Sequence, residues 1–159
     1  MMHNAVLLDT SFFLRFLNDK DPLFKNADGY FRYFIQKEIT MMVSTISIAE
    51  YCVGGDVHEL PLKNLQIVPF NLDHAKRTGE FAKIVFQNKG KLKLNERHII
   101  PNDTKLFAQA DVEKAVEFYL SSDSESMKIY RLIQNHASPK FQFIDLNTPH
   151  NETFGILNL

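Results

Sequence analysis

The chain has no tryptophan and a single cysteine, Cys52, among its 159 residues. One cysteine cannot form an intramolecular disulfide, and it excludes a zinc site built from several thiolates. No apolar run approaches the roughly 20 residues that a membrane-spanning helix needs. The opening residues, MMHNAVLLDT, lack the basic segment and the long apolar segment of a signal peptide. We therefore expect a cytoplasmic protein that does not enter a membrane.

The sequence also lacks an excess of either charge. Lys and Arg together number 18 and Asp and Glu 19, which gives a net charge of -1. Bulk charge therefore does not indicate a nucleic-acid-binding protein, and any such role depends on local clusters of basic residues. The length and the 45% hydrophobic content predict one globular domain over residues 1–159 with its own core.

Short apolar runs alternate with segments in which apolar residues recur at helical spacing. We predict strands at 5–8, 39–44, 65–71, 115–122 and 140–145. This alternation favours a parallel sheet covered on both faces, in an α/β domain of three layers, α/β/α.

The helices between the strands have recognisable ends. One is predicted to begin at Asp21-Pro22, since proline is favoured in a first turn. Another is predicted to end at Gly54-Gly55, because glycine is common after helix C-termini. Residues from about 146 onward show no clear pattern, and we expect an irregular C-terminal tail.

Four acids follow predicted strands or begin predicted helices: Asp9, Glu50, Asp103 and Asp123. In open α/β sheets, ligands bind beyond the carboxyl ends of the strands, and this is where the topology would bring these acids. Each also has a purely structural interpretation. The three aspartates are favourable N-cap residues, and Glu50 could face solvent on a half-buried helix.

Taken together, the four acids favour a metal site. Two carboxylates about 4 Å apart repel by roughly 4 kcal/mol at an effective dielectric constant of about 20, so a cluster of them requires protons or a cation. Oxygen ligands without cysteine or suitably spaced histidine suit Mg²⁺ or Mn²⁺. Carboxylate-held ions of this kind commonly serve phosphoryl chemistry.

The order of these motifs resembles that of the PIN-domain family, small nucleases that include the VapC-like toxins of toxin–antitoxin pairs. The similar segments are VLLDTSFFLRFL, STISIAEYCVGG, NDTKLFAQADV and YLSSDSES. Together they span the chain from Val6 to about Ile144, and two stretches depart from the family pattern. The segment NKGKLKLNERHIIP is longer than the usual connection, and the tail after Ile144 does not align.

The resemblance implies a sheet of about five strands in the order 3-2-1-4-5, with the four acids converging at its carboxyl edge. It assigns Thr10 and Ser121 to hydroxyl positions that orient the acids or a water molecule. Glu125 matches a further acidic position of the family; a role at the start of a helix dipole is the alternative. The implied cofactor is Mg²⁺ or Mn²⁺, and the implied partners are RNA, a small antitoxin protein and a second copy of the chain.

These expectations lead to hydrolysis of RNA phosphodiester bonds by a water molecule that the cation activates, because no Ser, Cys or His is arranged for covalent catalysis. The enzyme would be either the toxin of a type II toxin–antitoxin pair or a standalone RNA-processing nuclease. The alternative is a non-catalytic PIN-fold module that binds RNA or protein. A phosphatase of the haloacid-dehalogenase kind is disfavoured because Ser11 stands where its second aspartate belongs.

Basic residues near the predicted cleft are candidates for RNA contact. Arg15 lies about one helical turn beyond Ser11, and the densest basic segment contains Lys91, Lys93 and Arg97. A solvent-exposed side chain or loop is the competing interpretation for each. A nearly neutral protein that binds RNA nevertheless needs a local basic patch.

The basic segment gives the first testable prediction. Lys91→Glu combined with Lys93→Glu should weaken RNA binding and flatten its dependence on salt, because fewer phosphates would be neutralised. Binding of a labelled single-stranded RNA at several salt concentrations measures both effects. An unchanged affinity and an unchanged slope would exclude the two lysines from the RNA interface.

Overall fold

The computed structural model describes residues 4–88 and 102–155. Five parallel strands form one sheet in the order β3-β2-β1-β4-β5, which confirms the predicted order. The strands are β1 (Ala5–Leu8), β2 (Thr40–Ser44), β3 (Leu65–Val68), β4 (Val116–Ser121) and β5 (Gln142–Asp145).

Strand β1 lies in the middle of the sheet and is buried along its whole length. It pairs in parallel with β2 on one side and with β4 on the other. Helices cover both of its faces, which explains why its sequence, AVLL, is continuously apolar instead of alternating. Because β1 is buried, this segment can present polar side chains at the edge of the sheet only after Leu8, where the strand ends.

Seven helices lie among the described residues, and two single-turn 3-10 helices precede β3. The helices are α1 (Thr10–Phe16), α2 (Phe24–Gln36), α3 (Thr45–Tyr51), α4 (Leu72–Asn88), α5 (Asn102–Val112), α6 (Ser124–Ala137) and α7 (His150–Thr153). The 3-10 helices cover Val57–Glu59 and Leu62–Asn64. None of the helices within 4–88 and 102–155 combines the length and the apolar character required to cross a membrane.

Aromatic side chains fill the space on both faces of the sheet. On one face, α1 and α2 contribute the buried residues Phe12, Phe13, Tyr30 and Phe34. On the other face, the core includes Phe81, Phe107, Tyr119 and Phe141. The predicted three-layer α/β/α arrangement is thereby confirmed.

Helices α4 and α5 run antiparallel on this second face. The start of α4 meets the end of α5, where His74 Nε2 lies 2.7 Å from Glu113 Oε1 and Arg77 Nε lies 2.8 Å from Asp111 Oδ2. The end of α5 also adjoins the amino ends of the strands, since the Ala5 amide donates to the Ala115 carbonyl. Helix α5 therefore begins at the opposite edge, where the parallel strands end.

Two predicted helix ends differ from the structure. Helix α2 begins at Phe24, because the Asp21 carboxylate accepts hydrogen bonds from the Leu23 amide and the Arg15 guanidinium and so closes a turn around Pro22. Helix α3 ends at Tyr51 instead of continuing to the glycines. The backbone then folds back over the Tyr51 ring, and a Cβ at Gly55 would lie only 2.6 Å from that ring.

The prediction of an irregular tail from about residue 146 is wrong for α7. This short helix packs against α2, where the Tyr30 hydroxyl donates to the Thr148 carbonyl and lies 2.6 Å from Thr153 Oγ1. Phe154 stacks on Tyr33 with ring centroids 4.4 Å apart. A four-residue helix has no periodicity to detect, so only these tertiary contacts define it.

Phe154→Ala should therefore destabilise the protein. The ring is half-buried, so we expect a loss of about 2 kcal/mol, roughly half of what a fully buried phenylalanine contributes. Urea unfolding measures the change, and Glu152→Ala, an exposed substitution in the same helix, is the control. Equal stabilities of the two variants would show that α7 does not contribute to the core.

Candidate active site

Asp9 is the residue at which β1 leaves the sheet, and it is only 6% exposed. It occupies the N-cap position of α1, but its side chain makes no capping hydrogen bond. Instead, Asp9 Oδ2 accepts hydrogen bonds from Ser11 Oγ and Ser121 Oγ, each at 2.8 Å. The structure thus places Ser121 directly against the first of the predicted acids.

Ser11 is a member of this cluster that the sequence interpretation missed. Its hydroxyl donates to Asp9 and accepts a hydrogen bond from the Ser122 amide at 3.0 Å. It thereby joins the start of α1 to the loop after β4. The spacing Asp-x-Ser at a strand exit was the available signal, because a residue in the first turn of a helix can reach back to the N-cap position.

Glu50 approaches the same edge from α3. The residue is exposed, as its structural interpretation required, but its Oε1 atom accepts a hydrogen bond from Thr10 Oγ1 at 3.0 Å. Thr10 directly follows Asp9, so this bond brings the two predicted acids to adjacent positions. The predicted supporting hydroxyl at Thr10 therefore contacts Glu50.

Asp123 combines an exposed position with a structural contact. Its Oδ1 atom caps α6 by accepting a hydrogen bond from the Glu125 amide at 2.9 Å, so the capping interpretation holds for one oxygen. Its own amide donates to Ser121 Oγ at 3.0 Å, which connects it to the Asp9 cluster. Glu125 lies in the first turn of α6 and pairs with Lys128, as a surface residue at a helix start can do.

Asp103 lies in the first turn of α5, and its pKa shows the influence of the other three predicted acids. Burial is the largest influence on its carboxyl and raises its pKa to about 6 from 3.8. The nearby Ser126 hydroxyl lowers this pKa in part, and the charges of Asp9, Asp123 and Glu50 raise it further. Asp103 therefore lies within the electrostatic influence of all three other predicted acids.

Among the described residues, no basic side chain pairs with the negative charge of the site. Within 4–88 and 102–155, Asp9, Glu50, Asp103 and Asp123 form no salt bridge. In the same residues, no three His, Cys, Asp or Glu side chains are grouped closely enough to form a ready-made metal shell. The negative charge and the oxygen donors of the site suit a hard cation. In the described residues, however, the carboxylates are not grouped around a single point.

The predicted RNA-contacting residues are not brought to the acids in the described parts of the chain. Arg15 Nη1 lies 2.8 Å from Asp21 Oδ2 in an ion pair beyond the end of α1, which agrees with the surface interpretation. Lys91, Lys93 and Arg97 lie outside the described residues.

The raised pKa of Asp103 predicts an unusual dependence of stability on pH. Because this pKa is higher in the folded than in the unfolded chain, the group stabilises the metal-free protein fully below about pH 4, and the contribution is lost as the pH rises through about 6. Asp103→Asn should remove this dependence. In EDTA, the variant should exceed the wild type in stability by up to about 3 kcal/mol near pH 8 and lose that advantage near pH 4.

Urea unfolding across this pH range measures the difference between wild type and variant. Glu117→Gln, an exposed change on β4, serves as the control and should give an offset that does not vary with pH. A constant difference for Asp103→Asn as well would contradict the raised pKa of the Asp103 carboxyl.

No family model matches the sequence, and no curated protein matches it. Solved structures do match. A chain of VapBC2 from Rickettsia felis bound to a promoter DNA fragment is 21% identical, with a TM-score of 0.59 over 89% of this chain and 98% of that one. A chain of FitAcB from Neisseria gonorrhoeae is 13% identical, with a TM-score of 0.62 over 89% and 98%.

VapC20 from Mycobacterium tuberculosis, described as a toxin that cleaves the Sarcin-Ricin loop, is 16% identical, with a TM-score of 0.53 over 78% of this chain and 94% of that one. At such low identity these matches establish the fold alone. The chain has the PIN-like fold of these toxin-complex proteins, with the sheet order that its sequence predicts.

Proposed function

We propose that the chain is a Mg²⁺- or Mn²⁺-dependent endoribonuclease that hydrolyses RNA phosphodiester bonds. The observation that carries the proposal is the convergence of Asp9, Glu50, Asp103 and Asp123 at the carboxyl edge of the sheet, seen in the combined effect of the other three charges on the Asp103 pKa. Four neighbouring acids that have no basic partner among the described residues destabilise the fold, because their negative charges repel one another. They are well suited to holding a divalent cation.

In this proposal Asp9, Asp103 and Asp123 hold one or two cations, and Glu50 holds a cation or the attacking water. The bound cation would supply positive charge for the phosphate oxygens and would lower the pKa of water. Ser11 and Ser121 fix the Asp9 carboxylate through Oδ2, and Thr10 fixes Glu50. Glu125, in the first turn of α6, would act as a supporting acid.

Asp103 must lose its proton before it can bind a cation. Since its pKa is about 6 in the folded chain, binding below that pH would release a proton and would be correspondingly weaker. The site would therefore bind metal best at neutral and mildly alkaline pH.

We also propose that the biological context is a type II toxin–antitoxin pair, with a small antitoxin protein as partner. This part is supported by the resemblance to VapC-like toxins and by the VapBC2, FitAcB and VapC20 matches. A standalone RNA-processing enzyme is the other form of the same chemistry. A small antitoxin-like gene beside the gene for this chain would favour the toxin.

Asp9→Asn should abolish cleavage while leaving the fold intact, because asparagine keeps the shape and an oxygen acceptor but loses the charge. We expect a fall of at least about 100-fold in the cleavage rate of total RNA in Mn²⁺, assuming that one charge contributes at least about 2.7 kcal/mol. Asp73→Asn, at the start of α4 and so at the other end of the antiparallel α4–α5 pair, is the matched control and should cleave like the wild type.

The same proteins test the cation by thermal melting. Mn²⁺ at about 100 times its Kd should stabilise the wild type by about 2.7 kcal/mol, and Asp9→Asn should lose this response. Cleavage that survives in Asp9→Asn or in EDTA would contradict the proposal. RNA binding without cleavage, together with no melting response at millimolar Mn²⁺, would instead favour the non-catalytic module.

A further inference from the structure

Tyr119, in the middle of β4, is fully buried. Within the described residues, its hydroxyl has no hydrogen-bond partner of normal geometry. A buried hydroxyl without a partner lowers stability, and in native proteins such a group is rare enough to call for an explanation. A phenylalanine would fill the same core space without that penalty.

The sheet register directs this side chain towards the acids. Tyr119 pairs with Leu7 of β1, and Asp9 lies two residues beyond Leu7, on the same face of the extended chain. Tyr119 and Leu7 both belong to the core on the α4–α5–α6 face. The ring therefore lies on the face of the sheet towards which Asp9 is directed.

Helix α5 brings the second carboxylate to the same place. The rings of Phe107 and Tyr119 meet edge-to-face with centroids 4.9 Å apart. Asp103 precedes Phe107 by four residues, so it lies on the same helix face, one turn closer to the carboxyl edge. Burial first, and then the charges of Asp9 and Asp103, raise the pKa of Tyr119 well above its usual value, so both carboxylates lie close enough to the ring to influence its hydroxyl.

We infer that Tyr119 is a positioning residue of the acid site, whose hydroxyl becomes the core-side donor for the Asp9 carboxylate when a cation occupies the site. The inference rests on the proposed cation site, because the role assigned to Tyr119 is to orient the Asp9 carboxylate for a bound cation. Asp9 Oδ2 already accepts hydrogen bonds from Ser11 and Ser121. A third donor on the core side would fix the rotation of this carboxylate in the cation-bound site.

The site therefore contains two kinds of support for Asp9. Ser11 holds the carboxylate from the start of α1 and Ser121 from the end of β4, and Tyr119 would hold it from the core when a cation is bound. Hydrogen-bond partners of a ligand typically contribute a factor of about 10 to 100 to metal affinity. If Tyr119 served only to fill space, its hydroxyl would have no effect on metal affinity.

Tyr119→Phe tests this directly, because it removes only the hydroxyl. Tyr130→Phe is the matched control: Tyr130 lies in the same core, and its hydroxyl donates to the Phe141 carbonyl at 2.8 Å, not to an acid. Each protein is titrated with Mn²⁺ alone, and the apparent Kd is obtained from the melting shift.

We expect Tyr119→Phe to melt, without metal, at or above the wild-type temperature, since an unpartnered hydroxyl is removed. We expect its Kd for Mn²⁺ to rise roughly tenfold. Tyr130→Phe should melt at a lower temperature than the wild type because it loses a satisfied hydrogen bond, yet keep the wild-type Kd.

The outcomes separate this inference from the proposed function. A wild-type Mn²⁺ response that Tyr119→Phe retains with unchanged Kd would overturn the role of Tyr119 and leave the cation site standing. The absence of any wild-type response would overturn the cation site and this inference with it. Failure of Tyr119→Phe to fold would also overturn the inference, because it would show that the hydroxyl has a structural partner.

Discussion

The candidate site depends on the solvation of one carboxylate, that of Asp9, at the end of a strand buried on both faces. A charged group in such a position requires polar partners that replace water. Ser11 and Ser121 provide them, each at 2.8 Å from Oδ2. Because Ser11 belongs to α1 and Ser121 to the end of β4, the same hydrogen bonds join the start of this helix to the end of this strand at the carboxyl edge of the sheet.

The network around Asp9 extends to the other acids through single residues. Ser121 also accepts a hydrogen bond from the Asp123 amide, and Thr10, the neighbour of Asp9, donates to Glu50. Three of the acids, Asp9, Glu50 and Asp123, are thus connected by short polar contacts, and within the described residues no basic side chain pairs with them. Hydroxyls and amides orient carboxylates without neutralising them, so the negative charge of the site persists.

Much of this arrangement follows from local sequence patterns. The five strands and their order follow from the apolar runs and from the resemblance, and the acids at strand exits follow from the rule that parallel strands end at one edge. The end of α3 and the presence of α7 were not predicted by these sequence patterns. The first depends on the packing of the Gly55 backbone against the Tyr51 ring, and the second on the stacking of Phe154 against Tyr33.

Two polar residues near the acids, Ser11 and Tyr119, were also not predicted from the sequence, for different reasons. Ser11 resembles any hydroxyl residue in the first turn of a helix, and only the position of the Ser122 amide shows that it joins two loops. Tyr119 resembles any aromatic residue of a buried strand. Its register with Leu7 and its contact with Phe107 become visible only when the sheet is assembled.

Two acids at the opposite, amino edge of the sheet differ from the acids of the candidate site in their side-chain partners. There, Glu113 pairs with His74 and Asp111 pairs with Arg77. Lys140 Nζ donates to the carbonyls of Ala110, Glu113 and Val116 near the end of α5. Glu113 and Asp111 at the amino edge therefore have a histidine and an arginine partner, whereas Asp9, Glu50, Asp103 and Asp123 at the carboxyl edge form no salt bridge in the parts of the chain that the structure describes. The two edges share one sheet, and the proposed divalent cation would supply the positive charge that the described residues do not bring to the carboxyl edge.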